Sequence, residues 1–201
     1  NDYYFQTSNM TFPNATTDHS RYDLFAGSLS IERNSLDYKQ YPISGRKQFL
    51  VAQYVTGTEK YMPSPITDMG LFDRKVHSWL QMKGEWEQYK TISPYFNLGF
   101  MSELVLSSKN LMNNYTASVL QAPAFTPTPH SQIVFNEAFR ANQYVAFGLS
   151  PILKFSKLLH FRLDMYGFAP LYEIKKEEVW NNNTYTAIPY YGKFLHSFKY
   201  M

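Results

Sequence analysis

The sequence predicts an all-β fold: an antiparallel transmembrane β-barrel, with about eight strands in a single domain, 1–201. Three observations carry that expectation. Apolar and polar residues alternate over short segments, which places them on opposite faces of a strand. The connections run alternately short and long, as in barrels with tight turns on one side and extended loops on the other. Aromatic residues make up 18% of the chain, with 17 Tyr and 16 Phe, enough to furnish girdles at two membrane interfaces.

The elements follow in order. A first short strand, Asp2 to Gln6, precedes a polar loop from Thr7 to Ser20. From Tyr22 to Asn34, Phe25, Gly27, Leu29 and Ile31 share one face while Ala26, Ser28, Ser30 and Glu32 share the other. Pro42 and Gly45 mark a connection into Lys47 to Thr56. The pattern leaves that strand's facing open, because Phe49, Val51 and Val55 compete with Leu50, Ala52 and Tyr54. Pro63, Pro65 and Gly70 punctuate a long loop, Gly57 to Arg74. The cleanest alternation comes next, Val76 to Trp86, with Val76, Leu80, Met82 and Trp86 opposite His77, Gln81, Lys83 and Glu85. A tight connection at Thr91 to Pro94 leads into Tyr95 to Ser107, where Phe96, Leu98, Phe100, Leu104 and Leu106 oppose Asn97, Gly99 and Glu103.

Ser108 to Gln143 is too long for a hairpin, and Pro123, Pro127 and Pro129 argue against a strand within it, while Leu111 to Leu120 suits a short helix. Tyr144 to Phe155 turns at Ser156 and Lys157 and returns through Leu158 to Phe168. There Leu159, Phe161, Leu163 and Met165 face one way, and His160, Arg162, Asp164 and Tyr166 the other. Ala169 to Pro189, with Lys175, Lys176, Glu177, Glu178 and the Asn181 to Asn183 run, reads as a last long loop before a final strand to Met201. Strands of about 9 to 13 residues suit a tilted crossing of hydrocarbon. Charged residues such as Glu32, Lys83, Glu85, Glu103, Arg162 and Asp164 oppose the apolar face, on the side that in a barrel is the lumen, because lipid excludes charge. Lys83, Glu85, Glu103, Arg162 and Asp164 are the candidate lumen-facing polar residues, alongside Glu32.

Little here points to chemistry. The net charge is only +3, and no dense Lys/Arg cluster interleaves with aromatics, which argues against nucleic acid as a partner. Without cysteine there is no disulfide framework, thiolate metal site or Cys nucleophile. His19, His77, His130, His160 and His196 lack a metal-ligand spacing, and no glycine-rich phosphate loop occurs, so neither a metal nor a cofactor is expected. Gly148-Leu149-Ser150-Pro151-Ile152 approaches a nucleophile elbow, but it lacks the final Gly and falls mid-strand, so no catalytic residue is expected. Asn9, Asn14, Asn114 and Asn182 each begin an Asn-x-Thr triplet in a predicted loop, which keeps a secreted glycoprotein in view. No stretch of roughly 20 apolar residues and no signal peptide is visible.

The segment Gln121-Ala122-Pro123-Ala124-Phe125-Thr126-Pro127-Thr128-Pro129-His130, followed by Phe135-Asn136-Glu137-Ala138-Phe139-Arg140-Ala141-Asn142-Gln143-Tyr144, resembles the carboxyl-terminal barrel of patatin-like phospholipases from the Bacteroidetes. Gly148 to Phe155 and Phe161 to Pro170 are similar too. That barrel belongs to the bacterial surface antigen superfamily, which includes the BamA-type assembly factors and two-partner secretion transporters. The resemblance implies a sixteen-stranded outer-membrane barrel, with about two and a half strands beyond Met201 and a patatin domain bearing a Ser/Asp dyad upstream. It implies a non-catalytic anchor or translocator, with outer-membrane lipids and a passenger domain in the same polypeptide as partners. Neither a complete Gly-x-Ser-x-Gly motif nor an Asp-Gly dipeptide occurs here, so the lipase activity does not carry over. The resemblance further implies that Ser108 to Gln143 is the family's sixth outer loop, which folds into the lumen and pins itself to the inner wall through an Arg. Arg140 is the candidate pin, although the family's Arg-Gly-Phe/Tyr tip reads Arg140-Ala141-Asn142 here. An assembly factor, a channel whose lumen charges set ion preference, and a soluble β-barrel small-molecule binder are the other readings.

Overall fold

The computed structural model describes residues 3–4, 19–62, 73–156, 159–181 and 184–201. The strands are β1 (Tyr3–Tyr4), β2 (His19–Asn34), β3 (Gly45–Met62), β4 (Asp73–Ser93), β5 (Phe96–Ser107), β6 (Tyr144–Lys154), β7 (His160–Arg162), β8 (Met165–Pro170), β9 (Tyr172–Asn181), β10 (Thr184–Phe194) and β11 (Lys199–Tyr200). Antiparallel pairing builds one sheet in the order β1-β2-β3-β4-β5-β6-β8-β11, with β7 also paired to β6. The fold is thus all-β and antiparallel, and no sheet closes on itself among the described residues. From β1 to β6 the order in space follows the order in sequence, although β5 and β6 are joined by the long 108–143 segment and β8 pairs with β11 across an inserted hairpin.

Register fixes two faces. Leu29, Ala52, Met82 and Leu106 line up across β2 to β5 on one, and Ser28, Gln53, Gln81 and Ser107 on the other. The facing that the pattern left open in β3 follows from pairing: Phe49 lies opposite Glu85, Val51 opposite Lys83 and Val55 opposite Trp79, so all three join the polar face. Two glycines on that face are roofed by rings from the next strand. A Cβ on Gly99 would sit 2.3 Å from the Tyr89 ring, and one on Gly148 would sit 2.6 Å from the Tyr166 ring. Such aromatic cover of a strand glycine pins register.

The strands overrun the predicted lengths: β3 continues past Thr56 to Met62, and β4 runs from Asp73 to Ser93. The tips beyond the apolar run are polar on both sides, so alternation does not mark them. The return strand is broken at Leu163 and Asp164 into β7 and β8. Ala169 to Pro189 is not a loop: most of it forms the β9–β10 hairpin, inserted between β8 and β11. A two-stranded ribbon has no sheet face to encode, so Lys175, Lys176 and Glu177 there read as loop composition. The predicted Thr7–Ser20 loop lies almost wholly outside the described residues, and of the Asp2–Gln6 strand only Tyr3 and Tyr4 are described.

The β2–β3 connection is organised by Asp37, whose Oδ1 accepts from the backbone N–H groups of Tyr38, Ile43 and Ser44. Burial pushes the Asp37 carboxyl up, but those donors outweigh it and hold the group below the usual carboxylate range. Gly45 closes the turn at φ 103°, where a Cβ would lie 2.2 Å from the Ser35 carbonyl oxygen. The 108–143 segment lies across the polar face. It carries α1 (Tyr115–Leu120), capped by Asn114, and α2 (Pro129–Ile133), opened by a Thr128/Ser131 capping box.

Candidate functional site

The two faces differ in what covers them. The 35–44 turn and the 108–143 segment pack on the polar face, while the apolar face is bare. Phe25 is 82% exposed and Leu29 74%, and exposed Leu50, Tyr54, Leu80, Met82, Leu104 and Phe147 continue the surface across β3 to β6. A soluble monomer rarely leaves so long an apolar surface open.

Hydrophilic side chains bound this bare belt above and below, and both boundaries slope the same way. At the upper end Asp23 of β2 pairs with Thr58, whereas Thr56 sits two residues lower on β3 and pairs with Ser78 of β4. Ser108, just past β5, bonds to Leu80, another two residues down. At the lower end Arg33 pairs with Gln48; Arg46 is two residues below that and pairs with Gln88; Lys90 is two residues below again and pairs with Leu98. Between these edges no charged residue faces outward on β2, β3 or β4.

The five predicted polar residues all lie on the covered face. Lys83 Nζ bridges Glu85 at 2.8 Å and Glu103 at 3.1 Å, and Lys47 reaches Glu85 at 2.9 Å. Tyr144 donates to Glu103. A second group forms around Arg162, which pairs with Asp164 at 2.7 Å and donates to Tyr89 at 3.2 Å and to the Pro42 carbonyl at 2.8 Å. Both groups border a cavity of about 370 Å³, roofed by Tyr41 and Pro42 on one side and Thr126 to Pro129 on the other. Along its wall Lys47 and Lys83 offset Glu85 and Glu103, and Arg162 is offset by Asp164. Ser150 lies mid-strand in β6 and donates to Asp164, without the strand-to-helix turn a nucleophile elbow needs. Among the described residues no group of three or more His, Asp or Glu is placed to hold a metal ion.

The 108–143 segment is seated at three places. Met112 and Ala117 pack on Val55 and Trp79. Nearby, the wholly buried Glu59 accepts from Tyr22 at 3.1 Å and from the Asn113 backbone N–H at 3.3 Å, with His77 Nε2 at 2.8 Å. Lys109, only 4% exposed, donates to the Gln121 carbonyl at 2.7 Å and lies 4.8 Å from the Trp79 ring centre. Burial pulls this amine down to about 7, against an opposing pull from Glu59. The third seat is Phe125, 1% exposed, ringed by Tyr144, Tyr166 and Phe168.

Arg140, the candidate pin, bonds within its own segment among the described residues. Its Nη1 donates to the Leu120 and Ala122 carbonyls at 3.0 and 3.1 Å, and its guanidinium stacks on Phe135, so it ties the segment to itself. Phe125 makes the contact with the wall. The Ala141 position explains this: its N–H bonds Pro123 and Phe125 N–H bonds Phe139, a short ladder that turns Phe125 toward the sheet. Sequence reasoning missed Glu59, Lys109 and Phe125. Glu59 shares the parity of Val55, so extending β3 by three residues would have placed it on the polar face.

Comparison with protein-family models, with curated proteins and with solved structures finds no match to this chain. No described helix is long and apolar enough to cross a membrane, a test that does not bear on strands.

Proposed function

We propose that this chain is part of an outer-membrane β-barrel that anchors a passenger domain, itself non-catalytic, as the resemblance to the patatin-like phospholipases implies. The observation that carries this reading is the height of the bare belt. Asp23 and Arg33 are ten residues apart (33 − 23) on β2, which at a rise of about 3.4 Å is about 34 Å of strand. The upper edge falls four residues over the three steps from β2 to β5, about 4.5 Å per strand against a spacing of about 4.8 Å, and so the strands tilt by about 43°. The belt is then about 25 Å tall, the height of the apolar band on outer-membrane barrels. In lipid every strand amide must be paired, which an antiparallel ladder supplies except at its two edges, where further strands of the same polypeptide would continue it. The seated 108–143 segment favours an anchor over an open channel, because it fills the face that a pore would leave to water.

Fractionation of cells making the natural protein tests this. Extraction into detergent but not by salt or alkaline washes, together with a patatin domain encoded upstream of Asn1, is the expected result. Recovery in the soluble fraction overturns the membrane reading, and docking domains upstream in place of a patatin domain overturn the passenger.

A further inference from the structure

The charges on the two edges of the belt are handled differently. At the upper edge Asp23 lies 3.6 Å from Arg21 and 3.8 Å from Lys60, a carboxylate set among the bases Arg21, Lys60 and Arg74. At the lower edge the charged residues are Arg33, Arg46 and Lys90, one on each of three adjacent strands, all exposed and none with an acidic partner among the described residues. The nearest carboxylates are spoken for: Asp37 is held by backbone N–H groups of its turn, while Glu32, Glu85 and Glu87 belong to the covered face. Each basic residue is displaced from the next by one strand and two residues, a separation of about 8 Å, close to the width of one phospholipid. Three like charges in a row at the edge of an apolar surface repel one another unless anions sit among them.

Side follows from the connections. The short 35–44 and 94–95 turns leave from this lower end, whereas the 108–143 segment and the β9–β10 hairpin leave from the other. In outer-membrane barrels short turns mark the periplasmic side. We propose that Arg33, Arg46 and Lys90 form a staggered binding row for the phosphate head groups of anionic glycerophospholipids in the inner leaflet. This rests on the membrane reading above and adds to it a lipid class and an orientation. Trp86 is a built-in reporter, because Arg33, Gln48 and Trp86 share one row of the sheet and Trp86 faces outward with them.

The test is fluorescence quenching in vesicles. The natural polypeptide, with Trp180 and any tryptophan outside this chain replaced by Phe, is folded into phosphatidylcholine vesicles containing phosphatidylglycerol, and bromine is placed on the acyl chains of one lipid or the other at equal mole fraction. Trp79 is retained, since its burial makes it an unquenched baseline. Brominated phosphatidylglycerol is expected to quench Trp86 about fivefold more effectively per mole than brominated phosphatidylcholine. In the triple variant R33Q/R46Q/K90Q, and in about 1 M salt, that preference should fall to near unity while quenching by phosphatidylcholine persists, which certifies insertion. Equal quenching by both lipids in the unmodified row overturns the proposal and leaves the membrane reading standing. A preference that survives in the triple variant overturns the assignment to these residues. Quenching by neither lipid overturns the membrane reading and the proposal together.

Discussion

Leu29→Arg separates lipid from water at the bare face. Leu29 lies four residues above Arg33 and six below Asp23 on β2, which at the tilt derived above puts it about 10 Å inside the nearer edge of the belt. At that depth a lipid-facing Arg costs about 2 to 4 kcal/mol, or a folding equilibrium lowered about 30- to 1,000-fold. Were the same face wetted, the substitution would add a charge to a side chain already 74% exposed, and the cost would stay within about 0.5 kcal/mol. Ser28→Arg is the internal control: it is adjacent in sequence, opposite in facing, and paired with Gln53 on the covered side. The assay is urea-dependent folding of the natural polypeptide into phosphatidylcholine vesicles, followed by tryptophan fluorescence. A large loss at Leu29 with less than about 0.5 kcal/mol at Ser28 is expected. Equal effects at the two positions would refute the facing argument.

Three further outcomes follow from the covered face. Phe125→Ala removes a ring enclosed by Tyr144, Tyr166 and Phe168 and should cost about 3 to 5 kcal/mol, felt as protease cleavage within 108–143 while the strands stay protected. Lys109 holds its proton less tightly when seated, at about 7 against 10.5. The detached segment therefore binds more protons between those values, and seating strengthens as pH rises through that window by up to about tenfold per unit, with no dependence below about 7 or above about 10.5. Hydrogen exchange of 108–143 against pH should show this in the natural sequence and lose it in Lys109→Met. Gly148→Val drives a methyl into the Tyr166 ring and should cost about 1 to 3 kcal/mol by chemical denaturation, a penalty relieved when Tyr166 is replaced by Leu.

How much of this was legible in the sequence depended on whether a strand had one wet face and one apolar face. Where it did, as in Val76 to Trp86 and Tyr95 to Ser107, alternation placed every named residue on the face it occupies. In β3 the polar face itself carries Phe49, Val51 and Val55, so hydrophobicity could not choose a side, and the opposing residues of β4 had to. The β9–β10 ribbon escaped because it borders no sheet layer and its charges follow no period. The polar groups of the covered face were readable by parity. The seats of the 108–143 segment were not, since Glu59 meets Asn113 across 54 positions and Phe125 meets the wall through a ladder that no local pattern announces.

The central claim is that the bare face touches acyl chains. A single-cysteine scan from Val76 to Gln88 tests it most directly, because this chain has no cysteine of its own. Spin labels at the introduced thiols would be read for collision with oxygen, which concentrates in hydrocarbon, and with a water-soluble nickel chelate. Oxygen accessibility should peak at Leu80, Met82, Gly84 and Trp86 and fall at Gln81, Lys83 and Glu85, with period two. A scan in which the outward positions collide with the nickel chelate as readily as the rims do would contradict the account.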